Sequence, residues 1–151
     1  MTAMRRFRLL LNDRAVVALL PEALWRLFLA RIRLLFPFDK TAPQLGAQSQ
    51  ETAEVSKAAD APKIRQITRA IRVGSKVTPW KSTCMVRAVA GLKMLEKRGI
   101  DSTLYMGVAK DKQGRMIAHA WLRSGSYYVS GDDVMKGFVV VEKFAKVIQA
   151  E

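Results

Sequence analysis

The chain has one cysteine, one histidine, five prolines and half as many acidic as basic residues. A single cysteine, Cys84, excludes an intramolecular disulfide, and one sulfur with one imidazole is too thin a ligand set for a zinc site, so no metal is expected. A free thiol stays usable in a reducing compartment, which points to the cytosol. Long apolar runs are also missing. Arg14, Glu22, Arg26, Arg31 and Arg33 interrupt the apolar N-terminal region, and no stretch of about 18 uncharged apolar residues is left to span a membrane. The same interruptions, with no small-residue cleavage site behind them, argue against a secretory signal.

The shortage of acid leaves a net charge of +13. It is concentrated between residues 61 and 99, where ten basic residues face one acidic. Such a surface attracts polyanions of any kind, and no aromatic-interleaved platform or nucleic-acid motif accompanies it, so nucleic acid is not the expected partner. What is present is enough for one folded unit, since half of the 151 residues are apolar and a chain of this length buries a real core.

Apolar positions fall into three regions. Leu24, Trp25, Leu27, Phe28, Ile32, Leu35 and Phe36 recur at helical spacing over 15–36, with a break or fresh start expected at Pro21 and an end at Pro37. This helix has three readings: a core-packing element, a docking surface for a partner protein, or a basic helix lying on a membrane. The stretch 39–61 is poor in large apolar residues and reads as a linker between an N-terminal helical segment, 1–38, and a core, 62–151. Within the core, Ile64, Ile67, Ala70 and Ile71 predict a helix over 63–73 that Gly74 stops. A second helix over 84–98 has Ser82 or Thr83 as its cap and Gly99 at its C′ position. Strands follow at 102–108, 116–122 and 127–130 as an antiparallel meander. The tail is read as a strand at Val139–Val141 and then a short helix carrying Phe144 and Ile148.

The chemistry lies in three residues. A thiol is a nucleophile only as its thiolate, and Cys84 opens a helix, where unpaired N–H groups and the positive end of the dipole favour an anion. The same N–H groups suit the oxygen of a tetrahedral intermediate. His119 stands mid-strand between Ala118 and Ala120, where its side chain is able to face the helix, and Ser130-Gly131-Asp132-Asp133 follows by about one hairpin, offering a carboxylate to orient an imidazole. Each residue also has a plain explanation: a buried apolar cysteine, a structural histidine, a turn aspartate.

The order Pro79-Trp80, Thr83-Cys84 with Arg87-Ala88, Leu95-Glu96-Lys97-Arg98-Gly99, Leu104-Tyr105-Met106-Gly107-Val108 and Ala118-His119-Ala120-Trp121 resembles the transglutaminase-like cysteine peptidases that remove leader peptides in bacterial lasso-peptide biosynthesis. The resemblance runs from about residue 62 to 133. It implies an α+β fold with a transglutaminase-like, papain-like core, in which the Cys84 helix packs on an antiparallel sheet behind an N-terminal helical segment. It also implies a triad of Cys84 as nucleophile, His119 as general base and acid, and Asp132 as orienting carboxylate, with Asp133 in reserve because a shift of one residue reverses the face. Trp80 and Trp121 would contact substrate.

The implied substrate is a ribosomally made precursor peptide cut once between leader and core, with no cofactor. ATP belongs to the family's asparagine-synthetase-like cyclase, which then closes the ring. About 60 residues precede the core and read as helix and linker, so the resemblance implies the split arrangement, with a separate winged-helix-like recognition protein as partner. Met85 and Arg123 depart from the family's usual leucine and acidic residue. Two other readings stay open: an acyltransferase or amidase of the same fold acting on another substrate, and a non-catalytic basic adaptor.

Overall fold

In the computed structural model the residues described are 12–148 together with 4, 5 and 8; the rest of the expected 1–38 helical segment's start, and residues 149–151, lie outside them. Helix α1 is Arg14–Arg33. Its first turn is capped by Asp13, whose carboxylate accepts from the Ala15 N–H at 3.1 Å. Pro21 does not break it. An interior proline removes one donor and crowds the carbonyl four residues back, but Pro21 and Val17 both face solvent, where water serves that carbonyl. The opposite face buries Val16, Ala23, Leu27 and Ala30.

A short helix α2, Phe38–Thr41, and a 3-10 turn, Ala42–Leu45, lead to a two-residue strand β1, Ala47–Gln48. Helix α3 is Ala61–Val77 and helix α4 is Cys84–Lys97. Gly74, expected as the stop of α3, lies inside it and is buried. A Cβ there would come within 3.2 Å of Leu27 Cδ1, so the glycine permits α3 to approach α1 rather than ending the helix. The strands are β2, Ser102–Lys110; β3, Met116–Ser124; β4, Tyr127–Ser130; and β5, Val139–Lys146. They form one antiparallel sheet in the order β1-β5-β2-β3-β4.

The tail corrects the sequence reading. Phe144 is not in a helix: β5 continues to Lys146, with Phe144 opposite Leu104 on the core face. Its four-residue spacing to Ile148 mimics helical periodicity, but pairing along β2 decides the conformation. The stretch 39–61 is tethered as well. β1 pairs with β5, Leu45 is buried, and the N–H of Thr52 donates to Thr103 Oγ1 at 2.9 Å. Arg123 strengthens the tether from β3. Its guanidinium donates to Tyr105 Oη (3.0 Å), Gly125 O (2.7 Å), Ala53 O (3.1 Å) and Thr52 O (3.1 Å). A segment with few large apolar residues is thus held by hydrogen bonds, which apolar periodicity does not register.

The core is one cluster in which α1, α3 and α4 pack together and α4 covers one sheet face through Leu104, Ala120, Leu122 and Phe144. A Cβ at Gly91 of α4 would sit 2.9 Å from Leu122 Cδ2, so helix and sheet are as close as this glycine allows.

Glu22 joins α1 to the end of α4, accepting both from Arg98 Nη1 at 3.1 Å and from Nη2, with Lys97 at 3.5 Å. The Arg98 guanidinium chiefly, offset in part by burial, holds the Glu22 carboxyl below its ordinary value. A depressed carboxyl contributes stability that is complete above its unfolded value and is lost as pH falls through the folded one. Glu22→Gln is therefore expected to be less stable than wild type at pH 7, with the difference shrinking below about pH 4 as the wild-type carboxyl protonates. Urea melts at pH 7 and pH 3 check this, and a difference independent of pH would contradict it.

Candidate active site

The approach to α4 is a hydrogen-bonded turn. Thr78 Oγ1 lies 2.8 Å from Ser82 Oγ and donates to Trp80 O at 3.1 Å, which brings Thr83 to the N-cap position in extended conformation. Thr83 Oγ1 accepts from the Val86 N–H at 3.4 Å and its carbonyl from the Arg87 N–H at 3.0 Å. Two of the helix's first four donors are thereby used. Among the described residues the N–H groups of Cys84 and Met85 have no protein acceptor, so they are free to hold an anion.

Cys84 is partly exposed and opens on a mostly apolar cleft of about 180 Å³ between α4 and the sheet. Met85, Met106, Val108, Ala118 and Ala120 line it, with His119 and Gly107 in the strands that form its wall. Gly107 and His119 are paired across β2 and β3. The structure thus brings Cys84 and the His119 strand to one cleft.

The imidazole does not face α4. Alternation along β3 turns Ala120 and Leu122 toward the helix and sets His119, Trp121 and Arg123 on the opposite face. The ring stacks on Trp121 at 5.9 Å and tilts against Phe138 at 5.3 Å. Its Nε2 lies 2.8 Å from Gly131 O, and no hydrogen bond joins it to Cys84. A carbonyl can only accept, so Nε2 carries the proton and Nδ1 keeps the lone pair of a base.

Gly131, not Asp132, holds the imidazole. It adopts φ of +79°, and a Cβ there would sit 2.5 Å from Ala120 O, so the backbone approaches β3 as only glycine allows. Asp132 and Asp133 form an exposed 3-10 turn, Asp132–Val134. They line a different hollow, beside Arg72 and Arg87. In the sequence the signal for Gly131 is the Ser130-Gly131-Asp132-Asp133 run itself, whose glycine lies between β4 and the turn.

The two tryptophans are packing residues in this arrangement. Trp121 is 5% exposed and stacks between Tyr105, at 5.6 Å, and His119, so it props the imidazole. Its ring lies over Gly107, where a Cβ would come within 2.8 Å. Trp80 is partly buried, edge-on to Phe28 of α1 at 5.6 Å, with its Nε1–H unpartnered. Among the described residues no cluster of three or more His, Cys, Asp or Glu side chains could hold a metal ion, and no helix is long and apolar enough to cross a membrane.

A helix that begins at a capped cysteine and packs on an antiparallel sheet carrying the histidine, with its acceptor one strand away, is an arrangement suited to acyl transfer through a thioester. Neither the curated proteins nor the solved structures contain a match to this chain. The family model described as transglutaminase-like superfamily matches residues 25–143, from within α1 to within β5, and the chain belongs to that superfamily.

Proposed function

We propose that this chain is a cytosolic cysteine peptidase that removes the leader from a ribosomally made precursor of the lasso type. The observation that carries the chemistry is Cys84 at the first residue of a capped helix, opening on a cleft beside the His119 strand with two free N–H groups at hand. The resemblance across residues 62–133 supports the substrate.

The steps follow from these atoms. The extended peptide lies in the cleft, and Cys84 Sγ attacks the carbonyl of the last leader residue. The thiol proton passes to His119 Nδ1. The N–H groups of Cys84 and Met85 take the oxyanion. His119 returns the proton to the departing core amine, and water then releases the leader acid from the thioester. The imidazole lies on the face of β3 turned away from α4 and makes no hydrogen bond to Cys84, so the transfer requires its side chain to turn into the cleft when substrate binds, catalytic hydrogen bonds often forming only in the substrate complex. Before substrate binds, Gly131 O, accepting from Nε2, keeps Nδ1 as the basic nitrogen. The freed amine is the nucleophile that an ATP-dependent, asparagine-synthetase-like cyclase consumes. Incubating precursor with this chain, with and without a separate recognition protein, and reading the products by mass tests the reading: one cut at the leader–core junction supports it.

The recognition protein docks on α1 in this scheme. Trp25 is 57% exposed, Phe36 57% and Phe28 39%, and Ile32 and Leu35 are exposed beside them, flanked by arginines. Trp25 stacks on Phe28, which meets Trp80 four residues before the nucleophile, so this face adjoins the start of α4. Aromatic anchors of this kind dominate interface energies. Trp25→Glu is expected to weaken binding of the recognition protein by about tenfold or more and to leave the fold intact, as read by titration and circular dichroism. Unchanged affinity would move the docking site elsewhere.

A further inference from the structure

Between α3, α4 and the end of β4 lies a second hollow of about 200 Å³, lined by Thr68, Arg72, Arg87, Ser130, Asp132 and Asp133 among others. Two buried polar atoms at it have no partner. Ser130 is 7% exposed and its Oγ makes no hydrogen bond, and neither does Arg87 Nε. Thr68 is already engaged, donating to Ile64 O at 2.8 Å. Among the described residues no ion pair joins Arg72 or Arg87 to Asp132 or Asp133. Two guanidiniums and a hydroxyl with donors to spare, in a hollow the size of a side chain, are built to receive an oxyanion, which a guanidinium grips through two parallel N–H bonds. The two aspartates in the same wall disfavour a dianion such as phosphate and leave a singly charged carboxylate as the fitting ligand.

We infer that this hollow binds a carboxylate, and that the carboxylate is an acidic side chain of the peptide substrate. The second half rests on the peptide-cleaving reading, and the first half does not. The hollow and the candidate nucleophile share α4, since Arg87 is one turn after Cys84, so an acidic residue held there fixes the register of the chain entering the cleft.

The test uses the full chain and three small probes: N-acetylglutamate N-methylamide, its glutamine counterpart and inorganic phosphate, titrated by amide NMR. The glutamate probe is expected to shift the amides of Thr68, Arg87 and Gly131 to Asp133, and to bind at least about tenfold tighter than the glutamine probe or phosphate. Arg87→Gln is expected to weaken it by about tenfold or more, and Arg72→Gln, on the exposed side of α3, carries the same test without risk to the core. Equal binding of the glutamate and glutamine probes, tighter binding of phosphate, or indifference to Arg72→Gln overturns the assignment. None of the probes is cleaved, so failure here removes the pocket and leaves peptide cleavage standing, whereas loss of cleavage with the glutamate probe still bound does the reverse.

Discussion

Cys84→Ala is expected to lower the rate of precursor cleavage by about 10⁴-fold or more without changing the melting temperature appreciably. The side chain is partly exposed at the edge of the core, so its loss removes the thiol and little packing. His119→Ala is expected to cost about as much, because nucleophile and base act as a unit and removing either disables both. The aspartates should behave differently. Asp132 is exposed and makes no hydrogen bond to the imidazole, whose Nε2 is taken by Gly131 O. Asp132→Asn and Asp133→Asn are each expected to cost less than about tenfold in kcat/KM, by weakening the field around an imidazolium. If Asp132→Asn fell as far as His119→Ala, the carboxylate would replace Gly131 O as the orienting group in the working enzyme. Gly131→Ala separates the two cases in the other direction. Its strained φ and the clash with Ala120 O displace the carbonyl, so a large loss there with a small loss at Asp132 is the expected pattern.

Arg123→Met is expected to destabilise the protein by about 3 kcal/mol and to lower its melting temperature by about 6–12 °C. The guanidinium is buried, makes no ion pair among the described residues and is satisfied by Tyr105 Oη and three backbone carbonyls, Thr52, Ala53 and Gly125. Removing it leaves those acceptors unpaired in a dry setting, which costs more than the bonds themselves contributed. Methionine keeps much of the stem's volume, so the effect reports the polar head and not a cavity. Amide exchange should locate the damage: residues 49–56 lose protection before the helices do. A loss under 1 kcal/mol would mean that the pairing of β1 with β5 holds the segment alone.

The elements with strong periodicity were readable from the chain. α4, its Ser82 or Thr83 cap and the meander β2–β3–β4 depend on local patterns: a buried stripe, a capping hydroxyl and short strand runs. Where tertiary contact overrode a local signal, the reading failed. Pro21 reads as a break and Gly74 as a stop, but a proline on the wet side and a glycine pressed on Leu27 are both tolerated inside helices that bury long faces. Phe144 reads as helical until β2 supplies a partner. Arg123 was not legible as a tether, since the two acceptors that make it one, Thr52 O and Ala53 O, lie 71 and 70 residues upstream. At the site, the residue types were legible but not the faces. A strand reverses its side chains at every residue, so a meander seen only as a pattern does not say whether His119 or Ala120 meets the helix. The core's need for Ala120 and Leu122 settles that, and it leaves the imidazole propped by Trp121 on the other side.

In the proposed reaction Cys84 forms a thioester with the leader. Mixing excess enzyme with precursor and recognition protein, quenching in acid within a turnover and weighing the intact protein tests it most directly. A transient adduct equal to the leader mass less one water is expected, mapped to the peptide containing Cys84 and absent from Cys84→Ala. Cleavage of the precursor at an undiminished rate by Cys84→Ala, with no adduct on either protein, would contradict it.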